Sequence, residues 1–361
     1  MNKEKYYMFT PGPVKMPSCV LEEGSKQIPY FRTKEFSEMT LNCEKMLLSL
    51  LNAEEGSRAL FLAASGTGAM EASVVNILND DDEAFIVNGG SFGQRFVDIC
   101  DLHGIKNINY KLGYGTPLDV RGLGFIKENT SAFIVNGHET STGVLYDLES
   151  IGAVCRQRNM LFIVDAISMF LTDKIDMKNT GIDVLILSSQ KGLALPPGLS
   201  ILILSKRAQD RIYKNAKNVK VMYLKLDNYL DDMKRGQTPY TPPVSIMFQL
   251  HSRLNDIANN GGLEAEINRA KSVADYFRSG IQNLPIKIFS RSLPNAMTSL
   301  TPTDGKSAQQ IVSDLFNKYN IYVCPNGGEL KDTVFRVSHM GDIDQKYTEV
   351  LLSALKDYYS K

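Results

Sequence analysis

The chain has 361 residues, more than one hydrophobic core usually organises, so two domains are expected. Hydrophobic residues make up 43% and charged residues 22%, and 40 Lys plus Arg balance 40 Asp plus Glu. A formal net charge of zero gives no electrostatic reason to expect nucleic acid or an anionic membrane as a partner, and it weakly favours self-association.

The N-terminal MNKEKYYMFTPGP has no apolar core of the kind a secretion signal needs, and no apolar run approaches the length that spans a bilayer. Five scattered cysteines (Cys19, Cys43, Cys100, Cys155, Cys324) form no CxxC pair, so neither a zinc site nor a disulfide framework is expected. A soluble cytoplasmic protein is the plain expectation.

From about residue 58 to 205, short apolar runs alternate with amphipathic stretches. The runs are Ala59–Ala63, Ala84–Asn88, Ala132–Asn136, Leu161–Asp165, Val184–Leu187 and Leu199–Leu204, and they read as strands buried on both faces. Helical patterns at Gly68–Leu78 and Leu148–Arg158 lie between them, which argues a mostly parallel sheet flanked by helices. Asp227–Val244 changes texture, and Pro239, Pro242 and Pro243 break regular structure there. Helical patterns follow at 245–259 and 263–282. The tail then alternates strand (286–289), helix (308–318), strand (321–324), strand (334–337) and helix (347–359). The expected division is a large α/β domain over residues 1–250 and a small α+β domain over 251–361.

The strongest chemical signal is a pair of strand ends. LFIVDA puts Asp165 where one buried strand stops, and VLILSSQKG puts Lys191 just past another. Ligands of open α/β sheets sit outside the carboxyl ends of the strands, so an acid and an amine 26 residues apart are aimed at one crevice. Pyridoxal-phosphate (PLP) chemistry needs both, a lysine for the Schiff base and an acid against the pyridine nitrogen. The freed amine can then move a proton between substrate and cofactor. An isolated Asp and Lys at such places are as readily a helix cap and a solvated lysine, so the neighbours decide.

Ser65-Gly66-Thr67-Gly68 follows an apolar run and opens a helix, which suits a phosphate at the unpaired N–H groups of a helix start. It lacks the Gly-Lys-Ser/Thr of a P-loop, and Glu71 stands where a dinucleotide fingerprint needs its third glycine. Gly90-Ser91-Phe92-Gly93 sets an aromatic ring on glycines at a strand end, where it could stack on a planar ring or simply plug the core. His138-Glu139-Thr140-Ser141-Thr142-Gly143 is too polar for a packing element, and no catalytic role falls to His138.

The order TPGP, SGTGAMEA, GSFGQR, HETSTG, VDAIS and SSQKGLALPPG resembles the class V aminotransferases, within them the alanine–glyoxylate, serine–glyoxylate and 2-aminoethylphosphonate–pyruvate transaminase group. It extends from Thr10 to beyond Arg336. The resemblance implies a fold-type I PLP enzyme, with Lys191 as the aldimine lysine and Asp165 as the pyridinium partner. It also implies that Ser65, Gly66, Thr67 and Gln190 hold the phosphate, and that Phe92 and Ile167 contact the two ring faces. Thr140 would lie near the ring hydroxyl, Arg336 would bind the substrate carboxylate, and Gly12 would lie at the site's mouth. A homodimer follows too, with Thr241 completing the partner's phosphate site. The implied reaction is a ping-pong transfer from alanine, serine or 2-aminoethylphosphonate to pyruvate or glyoxylate.

Cysteine desulfurases are the nearest different chemistry. They carry His before the lysine and a nucleophilic Cys on a mobile loop, whereas Gln190 precedes Lys191 and Cys324 lies in an apolar run that suggests a buried, inert thiol. A non-catalytic binder of the same fold is the other alternative. A degenerate copy is expected to lose Lys191, Asp165 or Arg336, and all three are present.

Overall fold

The computed structural model describes residues 6–360. Seven strands form the main sheet, in the order Arg58–Leu62, Ser200–Leu204, Val184–Ser188, Leu161–Asp165, Ala132–Asn136, Glu83–Asn88, Lys106–Lys111. All neighbours are parallel except Ser200–Leu204, which runs antiparallel to both of its partners. The central strands are buried along their whole length, as near-continuous Val, Ile, Leu and Phe require of a sheet covered on both faces. Lys106–Lys111 was not expected as a strand. Its sequence KNINYK has no apolar run because it is the sheet edge, with no residue of it fully buried.

A second sheet of five strands runs Tyr7–Phe9, Ile321–Pro325, Phe335–Ser338, Met297–Pro302, Ile286–Ile288. Met297–Pro302 (MTSLTP) escaped the apolar-run reading because half of it is polar, yet it lies inside this sheet. The N-terminal strand pairs here, Phe9 opposite Val323, so the segment assigned to the large domain contributes to the second core. The expected boundary near 250 falls within the helix Val244–Asn259, which buries Met247, Leu250, Leu254 and Ile257 in the first core. That core ends at Ile257 and the second resumes at Val273. The Asp227–Val244 connector also holds a helix, Leu226–Met233, packed through Leu226, Tyr229, Leu230 and Met233.

Two features join the halves. The helices Val244–Asn259 and Gly262–Gly280 are tied where buried Arg253 reaches Asp256 (2.6 Å) and Glu266 (2.8 Å). A small apolar cluster of Val14, Ala194, Ala296, Met297 and Met340 brings the N-terminal segment, the second sheet and the loop after Lys191 together. Among the described residues no helix is long and apolar enough to cross a membrane.

Phe9 is 1% exposed and sits between the N-terminal strand and the second core. Phe9→Ala is expected to remove about 3 to 5 kcal/mol of stability, the cost of such a truncation in a packed core. Urea unfolding followed by far-ultraviolet circular dichroism checks this. A shift equivalent to less than about 1 kcal/mol contradicts the packing role of that strand.

Candidate active site

The site lies where the carboxyl ends of the central strands face the second sheet. A cavity of about 150 Å³ is lined by Gly12, Ser65, Gly66, Thr67, Met70, Phe92, Arg95, Thr140, Asp165, Ile167, Ser168, Gln190 and Lys191. The fold therefore brings together Lys191, Asp165 and all the residues expected to hold the cofactor except Thr241. Thr241 is exposed and belongs to no wall of this cavity in its own chain. Arg336 lines an adjoining cavity of about 450 Å³, which shares Phe92 with the first.

Asp165 closes its strand opposite Asn136, and that register sets up its hydrogen bonds. Asn136 Nδ2 donates to Oδ2 at 2.6 Å, and Ile167 N–H donates to Oδ1 at 2.9 Å. Burial pushes its pKa up to about 6, against the pull of those two donors. Lys191 begins the turn beyond Val184–Ser188, with its carbonyl accepting from Ala194 N–H. Its amine is pushed down to about 8, first by burial and next by the charge of Arg336, with Asp165 pulling the other way. Gln190 is turned by Ser188, whose hydroxyl donates to Oε1 at 2.6 Å.

Gly12 crosses the mouth. A Cβ there would stand 2.8 Å from Lys191 Cδ and Cε, so a side chain at this position would push the lysine's aliphatic stem aside. Its φ of +138° disfavours a side chain as well.

One end of the cavity is formed by the start of the helix Gly66–Ile77. Ser65 is its N-cap residue but makes no side-chain cap bond, so its hydroxyl is not used by the helix. Arg95 comes to this end, donating to Thr67 Oγ1 at 2.9 Å with its guanidinium 4.9 Å from the Phe92 ring centre. A positive charge, a free helix N-terminus and two hydroxyls fit a phosphate. Beside them, an apolar wall at Ile167 and Phe92 and a buried acid at Asp165 fit a planar pyridine ring, so the residues present suit PLP. Arg95 reads most simply from sequence as an exposed arginine, but it is half-buried in the cavity wall.

Glu139 and Ser168 carried no role in the sequence reading. Glu139 is fully buried, and its carboxylate accepts from Gly93 N–H (2.9 Å), Phe92 N–H (3.4 Å), Ser141 N–H (3.1 Å) and Ser141 Oγ–H (2.5 Å). It thus caps the helix Ser91–Leu102 from outside, which fixes where Phe92 points. Gly90 makes room for it, since a Cβ there would meet Glu139 Cδ at 2.7 Å. Burial nevertheless raises the carboxyl's pKa. The only sequence signal was an acid inside a polar strand-end motif. Ser168 Oγ pairs with Thr140 Oγ1 at 2.6 Å and so sets that hydroxyl in the cavity wall. His138 is buried, and burial pushes its pKa down to about 3, so it is a neutral ring.

Arg336 stands on the strand Phe335–Ser338 opposite Cys324. Cys324 departs from the expectation of an inert buried thiol: it is half-buried on a strand with its sulfur 3.0 Å from Arg336 Nη2. A strand position is also unlike the mobile-loop cysteine of a desulfurase. Arg32 lines neither of these two cavities; it donates to Thr238 O (2.8 Å) and Gln237 Oε1 (3.1 Å) and pins the loop that carries Thr241.

The sequence profile of the aminotransferase class V family matches residues 6–329. An uncharacterized aminotransferase of Helicobacter pylori is 33% identical over 354 residues, covering 97% of this chain and 92% of its own. A serine–glyoxylate aminotransferase of Hyphomicrobium methylovorum is 25% identical over 94% of this chain and 86% of its own. The crystal structure of the alanine–glyoxylate aminotransferase from Nostoc sp. shares the fold, with a TM-score of 0.92 at 24% identity over 99% of this chain and 96% of that one. The chain belongs to the class V aminotransferases and is a pyridoxal-phosphate-dependent transaminase.

Proposed function

We propose that the enzyme moves an amino group from a small amine donor (alanine, serine or 2-aminoethylphosphonate) to pyruvate or glyoxylate, in two half-reactions that share Lys191. The observation that carries this reading is Lys191 and Asp165 facing one small cavity, with Arg336 lining the adjoining one across Phe92. The serine–glyoxylate relative supports the choice of acceptor.

Each residue has a physical task. Lys191 would be the attachment point, and its Nζ would carry a proton from the substrate's Cα to the cofactor in the first half-reaction and in the opposite direction in the second. An amine already pushed down to about 8 does this near neutral pH far better than an ordinary lysine. The cofactor, when bound, supplies a protonated pyridine ring that absorbs the electrons left by that proton. Asp165 holds its charge against the ring nitrogen, and a cation there offsets the burial that raises its pKa. Ser65, Gly66, Thr67 and Gln190 bind the phosphate. Phe92 and Ile167 confine the ring, Thr140 meets its hydroxyl, Arg336 binds the substrate carboxylate and Gly12 closes the mouth.

The chain is also proposed to act as a cytoplasmic homodimer in which Thr241 completes the partner's phosphate site. Exposed Met222 beside the Tyr223–Tyr240 stack supports an apolar contact next to that loop.

Purified protein is expected to carry a visible absorbance band, and Lys191→Ala to lose both the band and more than about 10³-fold of the transamination rate. The same assay pairs each donor with pyruvate and glyoxylate. Formation of neither alanine nor glycine from any donor rejects the transaminase substrates proposed.

A pH series separates the lowered amine from an ordinary one. Only the neutral amine attacks the cofactor, so with a pKa lowered to about 8 the rate of reconstituting apoprotein rises up to about pH 8 and then levels. A rate still climbing towards pH 10 contradicts the buried, depressed Lys191.

A further inference from the structure

Arg336 is already engaged before any substrate arrives. Its Nη1 donates to Thr140 O (3.2 Å), and Nη2 donates to both Pro325 O (2.7 Å) and Cys324 Sγ (3.0 Å). Nε is buried without an acceptor. A guanidinium has two edges that can grip a carboxylate with parallel N–H groups, Nε with Nη2 and Nη1 with Nη2. Both edges need an Nη2 N–H, and Nη2 already donates to two acceptors. A substrate carboxylate that binds two-pronged must therefore take the place of one of them.

The two occupants are unequal. Pro325 O is a backbone carbonyl fixed in the strand Ile321–Pro325, and it is a strong acceptor at short range. Cys324 Sγ is a weak acceptor on a side chain that a single torsion can swing away. Displacing the sulfur frees Nη2 for a carboxylate, and Nε–H has no acceptor of its own, so an incoming carboxylate gains two charge-assisted bonds in exchange for the two weak ones of the thiol, from Nη2 and to Pro325 O (3.3 Å). Displacing the carbonyl would instead require moving the main chain, because Pro325 O is held by the strand while the thiol is free to rotate.

We propose that Cys324 is a positioning residue for substrate recognition: its thiol holds the Arg336 fork in place in the resting enzyme and yields to the carboxylate of the oxo acid or amino acid. This rests on the reading of Arg336 as the carboxylate's partner. A hydroxyl or carboxylate at position 324 would hold Nη2 more tightly and oppose substrate. An alanine leaves Thr140 O and Pro325 O to keep the guanidinium in place and offers nothing to displace.

The test is steady-state kinetics on the holoenzymes of Cys324→Ser, Cys324→Ala, Cys324→Asp and Arg336→Ala, varying whichever oxo acid the wild type accepts. Visible absorbance and thermal midpoint confirm that each variant is folded and loaded. The expected KM is roughly five- to tenfold above wild type for Cys324→Ser, higher still for Cys324→Asp, and at or below wild type for Cys324→Ala, with kcat within about twofold for Ser and Ala. Ser and Ala have nearly the same size, so a packing role would move both alike. Equal KM values for Ser and Ala, beside a large increase for Arg336→Ala, overturn the proposal while the Arg336 reading stands. An unchanged KM for Arg336→Ala overturns both.

Discussion

Asp165 is an ionisable group at the end of a strand buried on every side, and the surroundings that make this tolerable define the site. Removing a carboxylate from water is unfavourable unless donors replace the water, and Asn136 and Ile167 N–H do so only in part, since its pKa remains raised to about 6. The remaining deficit calls for a cation. Lys191 lies on the same cavity but has a lowered pKa of its own, so neither group fully satisfies the other. Such a mismatched pair suits a ligand that brings a positive ring nitrogen to the acid and a carbonyl carbon to the amine.

A second buried acid ties the rest of the site to this pair. Glu139 fixes the Phe92 turn by accepting from its backbone and clamps Ser141 one residue beyond Thr140. From there, Asn326 Nδ2 reaches Ser141 O at 2.7 Å, and Arg336 reaches Thr140 O. Phe92, Thr140 and the strand that carries Arg336 are thus linked through one polar loop, held in a region where an unpaired polar group is costly. The two cores meet around chemistry as well as around the apolar contact of Val14, Ala194 and Met340.

The architecture was legible wherever burial was complete. Central strands such as Ala132–Asn136 and Leu161–Asp165 coincide with their apolar runs, because a strand covered on both faces has no polar alternation to blur it. Strands with one wet or mixed face, Lys106–Lys111 and Met297–Pro302, carry no such signature and escaped notice. The N-terminal strand escaped for another reason. Three residues are too short for a pattern, and their pairing partner lies more than 300 residues away. In the site, residues at strand ends were readable because their type and place coincide with a chemical need. Glu139, Asn136 and Ser168 act through hydrogen bonds to other residues, and Cys324 through its register opposite Arg336. None of those relations can be read along the chain.

Which amine receives the cofactor decides whether this cavity is the active site. Borohydride reduction of the holoenzyme, followed by proteolysis and peptide mass mapping, fixes the cofactor to the lysine that holds it. The structure predicts a phosphopyridoxyl group on the peptide containing Ser188-Ser189-Gln190-Lys191, in near-stoichiometric yield. Stoichiometric label on any other lysine, with Lys191 unmodified, would contradict the site described.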